Sequence, residues 1–226
     1  MIEYVFLDLD DTILDFKKAE YIAIGKTIAD HGIEPTEEVR HRYHVINKWH
    51  WEQLELGNMT RQQVLEGRFE VFFRELGVEV DAPQVALDYM HNLSVGHYFL
   101  PGAEEAIERL SKKYRLYIAS NGTASVQHSR MTSANLYRFF EKIFISQELG
   151  HNKPAKEFFE AAFAQIPGFD IRKAIMVGDS LSSDIKGGIN AGMTTVWVNP
   201  GHAEGKTKAD YEIENITQLE ALLETL

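Results

Sequence analysis

The chain has 226 residues, 44% of them hydrophobic and 25% charged, the balance of an ordinary globular protein with room for one large domain or a core plus an insertion. A formal net charge of -11 argues against nucleic-acid polymers and anionic membranes as partners, and the lack of cysteine excludes disulfides, thiolate metal sites and cysteine nucleophiles. Met1 to Leu9 lack the basic flank and long apolar run of a secretory signal, and no apolar stretch approaches the roughly 20 residues of a membrane span, so a cytoplasmic protein is expected.

The first predicted element is a strand, Tyr4-Val5-Phe6-Leu7-Asp8-Leu9, an apolar run that stops at acids. From about Phe16 to Phe99 no convincing strand follows. The pattern instead reads as amphipathic helices near Lys17 to His31, Thr36 to Leu54, Arg61 to Leu76 and Pro83 to Leu93, punctuated by Gly32, Gly57, Gly77 and Pro83. Thr36 caps one of them ahead of two acids, and Thr60 opens a capping box. After Leu100-Pro101-Gly102 come four more apolar runs: Arg115 to Ser120, Lys142 to Ser146, Ala174 to Gly178 and Thr194 to Asn199. Helical patterns of crossover length accompany them, at about Glu104 to Lys113, Ser125 to Asn135, Lys156 to Gln165 and Ser183 to Ala191. Strands alternating with helices predict an α/β fold, a Rossmann-like parallel sheet with helices on both faces. The expected division is an α/β core of residues 1–15 and 100–226, with an all-α helical cap of residues 16–99 inserted after the first strand. Asp15-Phe16 and Leu100-Pro101-Gly102 are the expected hinges.

Asp8, Ser120 and Asp179 fall at the carboxyl ends of predicted parallel strands, and Lys153 lies in the loop after another. Ligands of open α/β sheets bind along that edge. Asp8 and Asp10, two apart at a strand end, can face one substrate. Asp179 and Asp184 bring two more carboxylates, and four acids converging on one point repel one another strongly. A hard cation with oxygen ligands resolves the repulsion, and beside phosphate the usual choice is magnesium. Ser120-Asn121-Gly122 offers a hydroxyl and free amides at a helix start, a cradle for phosphate, and Lys153 adds a positive charge.

Asp8-Leu9-Asp10-Asp11-Thr12, Ser120-Asn121-Gly122, Lys153-Pro154 and Gly178-Asp179 through Asp184 together resemble the four ordered motifs of the haloacid-dehalogenase-like phosphatases. The likeness spans nearly the whole chain, inserted helical cap included. Within the cap, Asn47-Lys48, Trp51, Gly57, Thr60 and Arg68-Phe69 resemble the pyrimidine 5'-nucleotidase branch of that family. The resemblance implies that Asp8 attacks phosphorus to form an aspartyl phosphate, and that Asp10 protonates the leaving oxygen and then activates water. It implies magnesium on the Asp8 carboxylate, the Asp10 backbone carbonyl and Asp179, with Asp184 behind them. Ser120 and Lys153 would hold the phosphoryl oxygens, and Thr12 would orient its neighbours. Asn121 and Gly122 would contact the phosphate, and Asn47, Trp51 and Arg68 the nucleoside. The expected partner is a small phosphate ester, on a monomer or weak homodimer.

Other readings stay open beside this one. Fold and core motifs do not set specificity, so phosphoglycolate or a sugar phosphate competes as substrate. A metal-independent haloacid dehalogenase fits the acid set less well, and a non-catalytic phosphate-binding protein has no positive support. Trp49, Phe69, Phe72 and Phe73 read as helix-packing residues, and His41 and His44, beside Arg40 and Arg42, as a solvated face. Gly205-Lys206-Thr207 imitates the end of a nucleotide-binding loop but lacks the earlier glycine, where Pro200 stands.

Overall fold

A computed structural model of the chain describes residues 1–201 and 207–226. Gly205 and Lys206 of the loop imitation lie outside the described residues. The chain forms two compact units, Met1–Phe16 with His97–Leu226, and Lys17–Gly96.

The elements, in chain order, are β1 (Tyr4–Leu7), the helices α1 (Phe16–Asp30), α2 (Glu37–Glu55), α3 (Arg61–Glu75) and α4 (Ala82–Ser94), then α5 (Ala103–Ser111), β2 (Arg115–Ser120) and α6 (Ala124–Ser133). They continue with β3 (Lys142–Ile145), α7 (Ser146–Leu149), α8 (Lys156–Phe163), β4 (Ala174–Gly178), α9 (Lys186–Ala191), β5 (Thr194–Val198), β6 (Tyr211–Ile213) and α10 (Leu219–Leu223). A π turn, Leu181–Ile185, leads into α9.

The six strands form one sheet in the order β3-β2-β1-β4-β5-β6, and every pairing is parallel. β1 and β4 are buried at every residue, which is why both read as unbroken apolar runs. Side chains alternate across the sheet: Val5 and Leu7 enter one core with Ile107, Leu110 and Met131, while Tyr4 and Phe6 enter the other with Phe158 and Phe159. The chain runs outward from β1 through β2 to β3 and then returns to β4 on the other side of β1. The topological switch point therefore lies between β1 and β4, and ligands of open α/β sheets bind beyond the strand ends at such a point. The α/β architecture is the one the sequence predicts. β6 was not predicted: it is a three-residue edge strand in which only Ile213 is buried, too short and too polar to show as an apolar run.

In the second unit, the capping hydroxyls of Thr36 and Thr60 are in place, and Gln63 closes the predicted capping box. Phe69, Phe72 and Phe73 are fully buried: Phe69 packs with Tyr43 and Tyr89, Phe72 with Tyr43, and Phe73 with Phe72. Trp49 corrects the expectation of a packing role, since it is 49% exposed. The buried stripe of α2 runs through Tyr43, Ile46, Asn47, His50 and Leu54, and Trp49 falls about 100° away from His50 on the helix. Among the described residues no helix is long and apolar enough to cross a membrane.

Candidate active site

β1 delivers Asp8 to the switch point, where its backbone N–H continues the sheet by donating to the Val177 carbonyl at 2.9 Å. One oxygen of its carboxylate accepts from Lys153 Nζ at 2.8 Å. The same ammonium donates to Asp184 Oδ1 and to the Ala119 carbonyl, both at 2.5 Å, so its three protons meet three acceptors. Lys153 is 1% exposed. Its loop is fixed by Asn121, whose Nδ2 donates to the Lys153 carbonyl while its Oδ1 accepts from the Lys153 N–H, each at 2.9 Å. The Asn121 side chain thus places the lysine.

Asp184 Oδ2 accepts from the Ser180 N–H at 3.0 Å, which pins the turn that follows β4. Gly178 makes this possible, because a Cβ there would stand 2.2 Å from that oxygen. Asp179 is steadied through its backbone: its carbonyl accepts from the Trp197 indole at 2.8 Å.

One carboxylate oxygen each from Asp8, Asp179 and Asp184 lies within 4.8 Å of the others. Burial pushes the Asp8 carboxyl up to about 8, with Asp184 and Asp10 adding to the rise against the pull of Lys153. Burial also raises Asp179 well above the usual carboxylate range, helped by Asp184, Asp8 and Asp11. Lys153 feels burial against its charge, yet the carboxylates of Asp184 and Asp8 outweigh it and hold the ammonium above its ordinary range. One ammonium cannot balance three close carboxylates. A donor set made only of carboxylate oxygens, with surplus negative charge, fits a hard divalent cation.

Ser120, at the end of β2, is buried, and its Oγ accepts from the Gly122 N–H at 3.1 Å. The Asp10 carboxylate stands apart from the group of three. Gln127 Nε2 donates to its Oδ2 at 2.7 Å, and Arg130 Nη1 donates to its Oδ1. Both partners come from α6, 117 and 120 residues further along the chain. Sequence reasoning missed them, and no local signal marks them: a glutamine and an arginine three apart on a helix look like any polar face. Thr12 is fully buried and its hydroxyl has no hydrogen-bond partner among the described residues, which corrects the expectation that it orients its neighbours.

Within the other unit, Asn47 and Arg68 are brought together. Glu20 Oε1 accepts from Asn47 Nδ2 at 2.5 Å, and Asn47 Oδ1 accepts from Arg68 Nη1 at 2.7 Å. All three are buried, and the Arg68 guanidinium lies 4.9 Å from the Tyr89 ring centre. Trp51 stands outside this row, half-buried, with the Arg61 guanidinium 5.6 Å from its ring centre. Glu20 is a second missed residue. It also corrects the reading of His44 as merely solvated, since the His44 imidazole pairs with Glu20 at 2.6 Å and that bond raises its pKa.

Residues 5–198 match the family model of haloacid dehalogenase-like hydrolases. The chain is 37% identical to the HAD-hydrolase YfnB of Bacillus subtilis, covering 97% of this chain and 94% of that protein. It is 36% identical to the pyrimidine 5'-nucleotidase PynA of Streptococcus pneumoniae (96% and 93% covered) and 30% identical to the pyrimidine 5'-nucleotidase YjjG of Escherichia coli (98% and 97%). A magnesium-bound crystal structure of YfnB superposes with a TM-score of 0.94 over 99% of both chains. The chain belongs to the haloacid dehalogenase-like hydrolases.

Proposed function

We propose that this protein is a magnesium-dependent phosphohydrolase of nucleoside 5'-monophosphates, with pyrimidines preferred, working through an aspartyl phosphate. The observation that carries the reading is Asp8, a carboxylate fixed at the switch point by a buried lysine, with Asp179 and Asp184 beside it. Two relatives named as pyrimidine 5'-nucleotidases, similar over nearly their whole length, support the substrate class.

Asp8 attacks phosphorus, and its new P–O bond forms as the bond to the ester oxygen breaks. Asp10 gives the departing oxygen its proton. A water then loses a proton to Asp10 and attacks the same phosphorus, releasing inorganic phosphate and restoring Asp8. Lys153 holds Asp8 in place and offsets the negative charge around the phosphoryl group, and Ser120 with the Gly122 N–H shapes the cradle for its oxygens. Asp8, Asp179 and Asp184 would hold the magnesium ion, with the Asp10 carbonyl a further ligand, and the bound ion supplies positive charge to the reacting oxygens.

Exhaustive chelation is therefore expected to abolish turnover, and added magnesium to restore it. Asp179→Ala should raise the magnesium concentration for half-maximal rate by at least about tenfold, because it removes one of three close carboxylates. An unchanged magnesium titration would remove Asp179 from the metal site.

Base discrimination is assigned to Trp51, which is half-buried; Asn47 and Arg68, expected to contact the nucleoside, are instead buried and bonded with Glu20 in a row that ties α1, α2 and α3 together. The expected result is a kcat/KM for thymidine and uridine monophosphates at least about tenfold above those for adenosine and guanosine monophosphates, or about 1.4 kcal/mol. Phosphoglycolate or a hexose phosphate winning by the same margin would end the nucleotidase reading and leave the phosphatase chemistry standing.

A further inference from the structure

The Asp10 side chain sits in a loop, 24% exposed, yet its carboxylate is gripped at both oxygens from one helix face. Arg130 is completely buried and contributes Nη1 to Oδ1. Gln127, three residues earlier and so on the same face of α6, is 1% exposed and contributes Nε2 to Oδ2. The two are joined to each other, Arg130 Nη1 donating to Gln127 Oε1 at 3.0 Å. Gln127 Nε2 also donates to Ser120 Oγ at 2.8 Å, tying the carboxylate to the phosphate cradle. Enclosing a guanidinium this fully strips it of hydration, a penalty that an apolar side chain at this position of α6 would avoid. The Asp10 carboxylate is a charge it meets there.

We infer that Arg130 and Gln127 are positioning residues for Asp10, fixing its carboxylate for proton transfer to the departing ester oxygen and, later, from the attacking water. The inference deepens the proposed phosphohydrolase reading and rests on it. A proton donor works only within hydrogen-bond reach of its target, and a misplacement of about 1 Å can cost about 100-fold. An unbraced aspartate in a partly exposed loop samples several rotamers. Two donors on two oxygens leave one, while each oxygen keeps a second lone pair for the travelling proton. In the first half-reaction that proton moves from Asp10 to the ester oxygen as the phosphorus–ester bond breaks and the Asp8–phosphorus bond forms. In the second it moves from water to Asp10 as the water oxygen bonds to phosphorus and Asp8 departs.

The test compares two esters at saturating magnesium, following the first turnover by rapid quench. A nucleoside monophosphate expels a poor alkoxide that needs a proton, whereas dinitrophenyl phosphate expels a stable phenolate that does not. Arg130→Met is expected to slow the nucleotide about 100-fold and the dinitrophenyl ester by less than about threefold, with KM for the nucleotide changed far less than kcat. Arg130→Lys should recover part of the loss. Asp10→Asn should show the same selectivity more strongly. If Arg130→Met does not fold, Gln127→Leu, which keeps the cation, decides by the same ratio with a smaller expected effect of about tenfold. Equal losses on both esters, with Asp10→Asn still selective, would make the pair a structural brace and overturn the inference while the phosphatase reading survives. A non-selective Asp10→Asn would remove the proton-transfer role itself, and the inference with it.

Discussion

Asp8→Asn is expected to lower turnover on the order of 10³-fold or more while leaving the protein folded. The amide has the shape of the carboxylate but no anionic oxygen to attack phosphorus, and no acyl phosphate can form on it. Asp8 is buried beside Asp184 and Asp10, which is why its carboxyl is pushed up to about 8. In chelator, the native state therefore holds a proton that the unfolded chain has already lost above its ordinary value of 3.8. Stability from this group is complete below pH 3.8 and is lost as pH rises through about 8. Asparagine carries no such dependence. The unfolding temperature of metal-free Asp8→Asn, relative to wild type, should thus shift in the variant's favour from pH 5 to pH 8. Activity above a few per cent of wild type, in freshly prepared material free of deamidation, would refute the covalent route. A shift in the opposite direction would refute the electrostatic account.

Lys153→Met should damage both stability and catalysis. Its ammonium joins Asp8, Asp184 and the Ala119 carbonyl in a fully enclosed position. Removing one partner of a buried ion pair costs about 3–5 kcal/mol, because the remaining charge keeps its desolvation without its counter-charge. The two carboxylates left behind repel, so magnesium should restore more thermal stability to this variant than it adds to wild type. Turnover should still fall by about 100-fold or more at saturating magnesium, since charge near the transferring phosphoryl group has gone. Thermal unfolding with and without magnesium, beside single-turnover rates, separates the two effects. A variant with near wild-type turnover would show that Lys153 serves folding alone.

Much of the core was legible because its signals are local. A strand buried on both faces must be a short apolar run, and β1, β2, β3, β4 and β5 all read that way. Their order in the chain, alternating with helices, then places Asp8, Ser120 and Asp179 along one edge of the sheet. β6 left no such trace, because Tyr211 and Glu212 are exposed and its place was settled by pairing with β5. Trp49 was legible but misread: the apolar phase of α2 excludes it once Tyr43, Ile46, His50 and Leu54 are taken as its stripe.

Sequence alone determined which groups could do chemistry and on which edge they would gather, since residue type and strand-end position are properties of short segments. Tertiary structure decided what each group is bonded to. Asn121 became the clamp on Lys153, Asp10 acquired Gln127 and Arg130, and Asn47 was fastened between Glu20 and Arg68. These partners lie between 21 and 120 residues apart in the chain. No periodicity or spacing joins such pairs. They are selected because a charged or amide group carried into the interior must find a complementary atom there, and only the packed chain determines which one is within reach.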